Sequence, residues 1–377
     1  MNREIVKKRG ESGMNREIVK KRLEETPCLE PVDAVKLAYQ SECGCGHLLA
    51  PEEECAGRIA RELGESVLLE GAAPYADIGG DLCRLNLCCP KVRSLPPRLM
   101  ARMMHYTARE PRGSLEGFLE RLEDLRALCR EGELPFSLAQ LEEYLAGYAR
   151  EGYPPVSHSP RYRVAYGPAY RVVERLYGLA LPILEAVEER LRRMGRALVV
   201  LEGDCAGGKT TLAKALAPLW DAPVLSMDDF FLPPSLRTPE RLGTPGGNVE
   251  YERFREEALE GLLAQAREDA PRPFVYQVFD CHAGTSSPRE VSPSPMVIIE
   301  GSYSHHPAFE EAYRKLNALR VFLFVEAKEQ LRRLEARNPA LLPRFQREWI
   351  PLEKAYFQAY DIPGRADIAL CTQEGWK

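Results

Sequence analysis

The stretch ALVVLEGDCAGGKTTLA spans residues 197–213. Within it Gly203, Asp204, Cys205, Ala206, Gly207, Gly208, Lys209 and Thr210 fit the spacing G-x-x-x-x-G-K-[ST], with Thr211 next in line. That spacing suits a polyphosphate for separable reasons. Glycines let the backbone turn tightly, so that successive N–H groups point inward at the phosphates. A helix opening near Gly208 adds the positive end of its dipole. Lys209 supplies a point charge for the β- and γ-phosphates, and the Thr210 hydroxyl suits Mg²⁺. The bland alternative is a glycine-rich turn that binds nothing. The apolar run before the motif and the helical stretch after it argue against that.

Further acids and bases follow. PVLSMDDFFLPP puts Asp228 and Asp229 after a short apolar run, read as the strand beside the loop strand. A carboxylate there can take a hydroxyl proton, or hold an acceptor hydroxyl in line with the γ-phosphate. Without the phosphate loop, the same pair would read as a turn or a helix cap. PMVIIEGSYSHHP ends a run in Glu300, which is placed to bind the water shell of Mg²⁺ or is simply a solvated strand-end acid. EQLRRLEARNP sets Arg332, Arg333 and Arg337 on one helix. Late arginines of this kind can close over a transferring phosphoryl group and neutralise its charge. A basic helix face is the alternative.

These residues need a scaffold. ALVVLEG, PVLSM, PMVIIEG, LRVFLFVE and ADIAL are short apolar runs separated by helical stretches. Such alternation predicts an α/β domain over 196–377, a parallel sheet with helices on both faces. Residues 23–150 read as a mostly helical domain. PEEECAGRIARELGE and LPPRLMARMMHYTARE begin with prolines, and SLAQLEEYLAGYARE opens with a Ser137/Gln140 capping box. Residues 151–195 read as an ordered connector and a linking helix. They offer His158, Arg161 and Arg163 either to a site between the halves or to ordinary packing. MNREIVKKR occurs twice, at 1–9 and 14–22, too short a repeat for a solenoid. Residues 1–22 are expected to be disordered.

Composition narrows the partners. A net charge of -5 over 377 residues gives no basic excess for nucleic acid. No apolar stretch approaches the roughly 20 residues of a membrane span, and the N-terminus lacks the apolar core of a signal peptide, so a cytoplasmic location is expected. Of the 11 cysteines, eight lie between Cys28 and Cys129. An odd total in a long chain reads as free thiols. Cys43, Cys45, His47 and Cys55 suggest zinc or redox chemistry, but the spacing lacks a C-x₂-C knuckle. Buried or incidental thiols are the stronger reading.

Taken together, the P-loop, MDDFF, RTPERLGTPGGNVEYERF, IIEGSYS and RRLEARNPALLPRFQREWIPLEKAYF resemble the uridine kinase-like group. That group belongs to the phosphoribulokinase, uridine kinase and bacterial pantothenate kinase superfamily, and the resemblance covers about 197–370. It implies ATP and Mg²⁺ as cofactors and phosphoryl transfer to a hydroxyl of a small molecule, with a nucleoside such as uridine as first choice. Asp228 would be the base, Lys209, Thr210 and Glu300 the phosphate and metal residues, and the helix from Gln330 to Arg337 part of a lid. Tyr276 falls where the family contacts the nucleoside base, and His282 sits one position from the matching place. Asn248 and Glu250 stand where the acceptor's sugar is held, although PGGNVEY differs from the family's acidic segment, and Asp229 is a further candidate for binding the substrate. The helical half faintly resembles a region fused to such kinases in bacteria. Two alternatives stand beside this reading. One is a nucleotide-operated switch whose helical half binds a partner, and the other is a kinase of a non-nucleoside such as pantothenate. Self-association into a homo-oligomer is compatible with each.

Overall fold

The computed structural model describes residues 16–280 and 284–372. They divide into two units, with the boundary between Leu181 and Pro182, inside the stretch read as a connector. The first copy of the terminal repeat, and His282, lie outside the described residues. The second copy corrects the expectation of disorder. From Arg16 it forms helix α1 (Arg16–Glu25), which buries Val19 and pairs Arg16 with Glu131 and Lys20 with Glu133 at 2.9 and 2.8 Å.

Helices dominate the rest of the first unit: α2 (Pro31–Cys43), α3 (Glu52–Glu65), α4 (Pro97–Thr107), α5 (Leu115–Arg130), α6 (Leu138–Arg150) and α7 (Pro160–Tyr166). The capping box forms at α6: Gln140 N–H donates to Ser137 Oγ and Gln140 Oε1 accepts from Ser137 N–H at 2.8 Å. The unit also holds a sheet that the helical reading lacks. Strands β1 (Tyr75–Gly79), β2 (Leu82–Asn86) and β3 (Tyr170–Glu174) pair antiparallel in that order. The β1–β2 turn needs Gly80, because its φ is +63° and a Cβ there would lie 2.1 Å from the Ser41 carbonyl oxygen.

The second unit begins with α8 (Leu181–Met194) and is built on a five-stranded parallel sheet. Its strands are β4 (Ala197–Gly203), β5 (Val224–Ser226), β8 (Met296–Glu300), β9 (Leu319–Phe324) and β10 (Ile368–Cys371), in the order β10-β9-β4-β8-β5. Every residue of β4 and β8 is buried, as central strands covered on both faces require. Helices α9 (Lys209–Leu216), α10 (Glu260–Arg267), α11 (Glu310–Leu316), α12 (Ala327–Arg337) and α13 (Ile350–Tyr360) cover the sheet's connections. One large cluster joins Val200 and Ile299 of the sheet to Phe230, Phe254, Phe309 and Tyr356. The chain leaves β4 toward one side of the sheet and later crosses to the other. The crevice at the carboxyl end of β4 is therefore a topological switch point, where open α/β sheets bind ligands.

Two details depart from the sequence reading. The strand ahead of Asp228 is not beside the loop strand: β5 is the sheet edge, and β8 lies between it and β4. Residues 274–291 add a two-stranded antiparallel hairpin, β6 (Phe274–Asp280) with β7 (Thr285–Val291), outside the parallel sheet.

Candidate functional site

The loop after β4 has the backbone of a phosphate cradle. Gly203 has φ +143°, and a Cβ there would lie 2.0 Å from the Leu323 carbonyl oxygen. Gly207 is closed to a side chain by the Asp204 carbonyl oxygen at 2.6 Å. Ala206 and Gly208 take positive φ, and α9 starts at Lys209. The Asp204 side chain fixes the loop to the end of β9 by accepting from Val325 N–H at 2.9 Å, and the Asp204 amide donates to the Leu323 carbonyl at 2.9 Å. Lys209 is buried and donates to the Gly203 and Asp204 carbonyls at 2.6 and 3.1 Å. Its ammonium thus lies over the loop it serves. Thr211 lies half-buried in the first turn of α9.

Next to the loop, strand ends gather oxygen donors. Thr210 donates to Glu300 Oε2 and Ser226 to Glu300 Oε1, both at 2.9 Å. Ser226 and Glu300 are register partners in β5 and β8. Loss of hydration pushes the Glu300 carboxyl up; the two hydroxyl donors and Lys209 oppose that, while Asp228 reinforces it. Asp228 is exposed at the end of β5. Desolvation raises its carboxyl first and Asp229 adds to the rise, against the pull of Lys209 and Arg337. Four of the predicted residues, Lys209, Thr210, Asp228 and Glu300, therefore act on one another across the ends of β4, β5 and β8.

The other predicted residues are placed differently. Arg333 is held in the fold: it pairs with Glu329 at 2.8 Å, donates to the Ala206 carbonyl and Thr372 Oγ1 at 3.2 Å each, and also bonds the Thr372 carbonyl. It braces the loop. Arg337 is exposed, and its charge reaches Asp228 and Cys205. Asp229 turns away from Asp228 into a buried network, accepting from Tyr276 Oη at 2.8 Å and Arg289 Nη1 at 2.6 Å. Tyr276 is 1% exposed and stacks on Phe230 at 5.3 Å. Asn248 donates to Tyr303 Oη at 3.0 Å, and Glu250 accepts from Arg253 at 2.9 Å. Their segment pairs with Phe230–Leu232 through the Glu250 amide and the Asn248 carbonyl.

Several residues of the site escaped the sequence reading. Glu353 of α13 is buried and accepts from the Cys205 amide at 2.8 Å and from Ser302 at 3.2 Å. Gln330 donates to the Cys205 carbonyl at 2.9 Å. Glu202, the last residue before the loop, is fully buried. It accepts from the Gly203 and His305 amides at 3.0 and 3.2 Å. Burial pushes its carboxyl up to about 8, although Lys209 opposes the rise. None of these belongs to a spacing motif; only their position next to the loop marks them.

Among the described residues no three His, Cys, Asp or Glu side chains converge as a metal cluster, and the cysteines are free thiols. Cys45 and Cys55 are buried and bond the backbone carbonyls of Met104 and Ala50. No described helix is long and apolar enough to cross a membrane. A cavity of about 360 Å³ lies at the opposite, amino ends of β4 and β8, between Leu198, Pro295 and Val297. No carboxylate lines it, and it is remote from the phosphate loop.

No protein-family model matches the chain, and no curated protein does either. Solved structures do match. One is a candidate uridine kinase from Bacillus stearothermophilus, at 20% identity and TM-score 0.34, over 46% of this chain and 88% of that one. Another is a candidate fructose transport system kinase from Silicibacter sp. TM1040, at 26% identity and TM-score 0.38, over 52% and 98%. A third is shikimate kinase from Bacteroides thetaiotaomicron, at 20% identity and TM-score 0.23, over 46% and 84%. At such TM-scores the chemistry has to be argued from the site itself.

Proposed function

We propose that the second unit transfers a phosphoryl group from ATP to a hydroxyl of a small molecule, with Mg²⁺. The observation that carries this is the meeting of Lys209, Thr210, Ser226, Asp228 and Glu300 beside a loop in which Gly203 and Gly207 admit no side chain. The residues fit both cofactors. The cradle at Gly203 and Gly207 leaves backbone N–H groups for phosphates, and the donor set beside it is all oxygen, as a hard cation prefers. Thr210, Ser226 and Glu300 would hold the metal. When bound, Mg²⁺ neutralises charge on the transferring phosphates.

The chain's own residues do the rest. The loop amides and Lys209 hold the phosphates and spread negative charge as it develops. Asp228 accepts the proton of the attacking hydroxyl, and its raised carboxyl makes it a better base than an ordinary aspartate. Glu300 orients the Thr210 and Ser226 hydroxyls. Arg337 is the arginine free to approach the phosphoryl group, while Arg333 keeps the loop in place.

For the acceptor, the resemblance implies a nucleoside such as uridine. The burial of Tyr276 between Asp229 and Phe230 favours a second reading, a non-nucleoside hydroxyl compound such as pantothenate, because no face of the ring is open to a base. The test is incubation with Mg-ATP and a panel of nucleosides, pantothenate and sugar phosphates, with products weighed by mass spectrometry. A phosphorylated panel member supports the kinase and names its acceptor class. Slow ATP hydrolysis with no phosphorylated product would overturn it in favour of a nucleotide-operated switch.

A further inference from the structure

The first unit holds a shallow, widely open cavity lined by Lys36, Ser157, His158, Arg163, Gly167 and Pro168. Its charges do not balance. Lys36 of α2 donates to the Val156 carbonyl at 2.6 Å and has no carboxylate in contact. Arg163 of α7 is exposed and, among the described residues, makes no side-chain hydrogen bond or ion pair. Behind them Arg84 of β2 is 6% exposed. Among the described residues its guanidinium meets only neutral groups, Gln40 Oε1 at 2.9 and 2.6 Å and the Tyr170 ring at 4.4 Å. A buried cation without a counter-ion is costly, and its natural complement is an anion.

Asp33, the acid whose charge acts on Lys36, stays ionised and offsets part of the positive charge, and its oxygens are already taken by donors. Asp33 accepts from His158 Nδ1 at 2.8 Å, the Ser159 amide at 3.0 Å, Ser159 Oγ at 2.7 Å and the Glu30 amide at 3.1 Å. His158 Nε2 meets Tyr170 Oη at 2.7 Å. The Asp–His–Ser group is therefore no hydrolytic triad, since the serine bonds the aspartate and both imidazole nitrogens are engaged. It is a rigid wall. The remaining positive charge also acts on Lys36: burial first, then Arg84 and Arg163, lowers its ammonium to about 8, with Asp33 opposing them.

We propose that this cavity binds a small phosphate-bearing ligand, held by Lys36 and Arg163 with Arg84 behind them. A lysine beside an arginine fork is the usual phosphate-binding chemistry.

The test is the reactivity of Lys36 in the full chain, read by mass spectrometry after limiting acetic anhydride at pH 8. Inorganic phosphate is compared with chloride at equal ionic strength. An anion beside Lys36 raises its pKa by about one unit, so acetylation slows about fivefold. We expect this protection in the wild type and in Lys209→Ala, and its loss in Arg163→Ala. Equal protection by chloride, or protection that survives Arg163→Ala but vanishes in Lys209→Ala, would overturn the proposal.

Discussion

Replacing Glu202 by Gln should flatten the pH dependence of the second unit's stability. Glu202 is fully buried at the end of β4, with its carboxyl pushed up to about 8 from a usual 4.5. Between those values the folded chain keeps a proton that the unfolded chain has lost. The stability this proton provides is fully present below pH 4.5, declines as pH rises, and is gone above 8. From pH 6.5 to 8 the decline is about 2 kcal/mol, at roughly 1.4 kcal/mol per unit of pKa. Asp204, Asp228 and Glu300 are also raised but remain in both proteins and cancel in the comparison, whereas Glu353, whose charge helps raise Glu202, is coupled to it and is read together with it. His305 and His306, lowered to about 3 and about 4, are neutral throughout this window when folded. All three tryptophans, Trp220, Trp349 and Trp376, lie after the boundary at Leu181, so fluorescence in urea reports this unit. With a slope of about 2 kcal/mol/M, the wild-type midpoint should fall by roughly 1 M more than that of Glu202→Gln over the same pH range. Any constant offset between the two proteins reflects altered hydrogen bonding and is irrelevant. Identical pH slopes would refute the claim that Glu202 is protonated in the fold.

Asp228→Asn should lower turnover about 10²- to 10⁴-fold while ATP still binds, as loss of a general base does; near-normal product formation by mass would remove Asp228 from the mechanism. Gly203→Ala should abolish nucleotide binding in calorimetry, because its Cβ would lie 2.0 Å from the Leu323 carbonyl oxygen; unchanged affinity would contradict the cradle. Burial pushes the Cys205 thiol up to about 11, so iodoacetamide at neutral pH should label exposed Cys371 well before it, and rapid alkylation of Cys205 would show the loop to be open. Tyr276→Phe removes the bond to buried Asp229 and should cost about 1–3 kcal/mol in the urea transition. The acceptor KM should not move; a higher KM with unchanged stability would restore Tyr276 as an acceptor contact.

The loop, Thr210, Asp228 and Glu300 were legible in the sequence because each follows a short apolar run that can only be a buried strand. Strand order was not. Nothing in PVLSM says that β8 inserts between β5 and β4, since that is decided by crossovers and not by local pattern. The first unit's sheet was missed for a similar reason: its strands have five residues each, and β3 lies far along the chain from β1 and β2. Arg333 shows the limit for side chains. Helical spacing put it on the correct helix, but whether it reaches outward or back to Ala206 depends on Glu329 and Thr372. Glu202 and Glu353 carry no motif at all, because a buried carboxylate next to a loop is a fact of packing.

The bonds from Arg333 to Ala206 and to Thr372 also set an order of events during synthesis. A chain made from its amino end exposes the P-loop early, while its brace is still missing. Arg333 arrives more than a hundred residues later, and Thr372, which holds that arginine, accepts its bonds only after β10 has joined the sheet edge. On the ribosome the loop therefore exists for a long interval without its support. Nucleotide binding by a growing chain should set in only once residue 372 has emerged, which would make tight binding a marker of a completed domain.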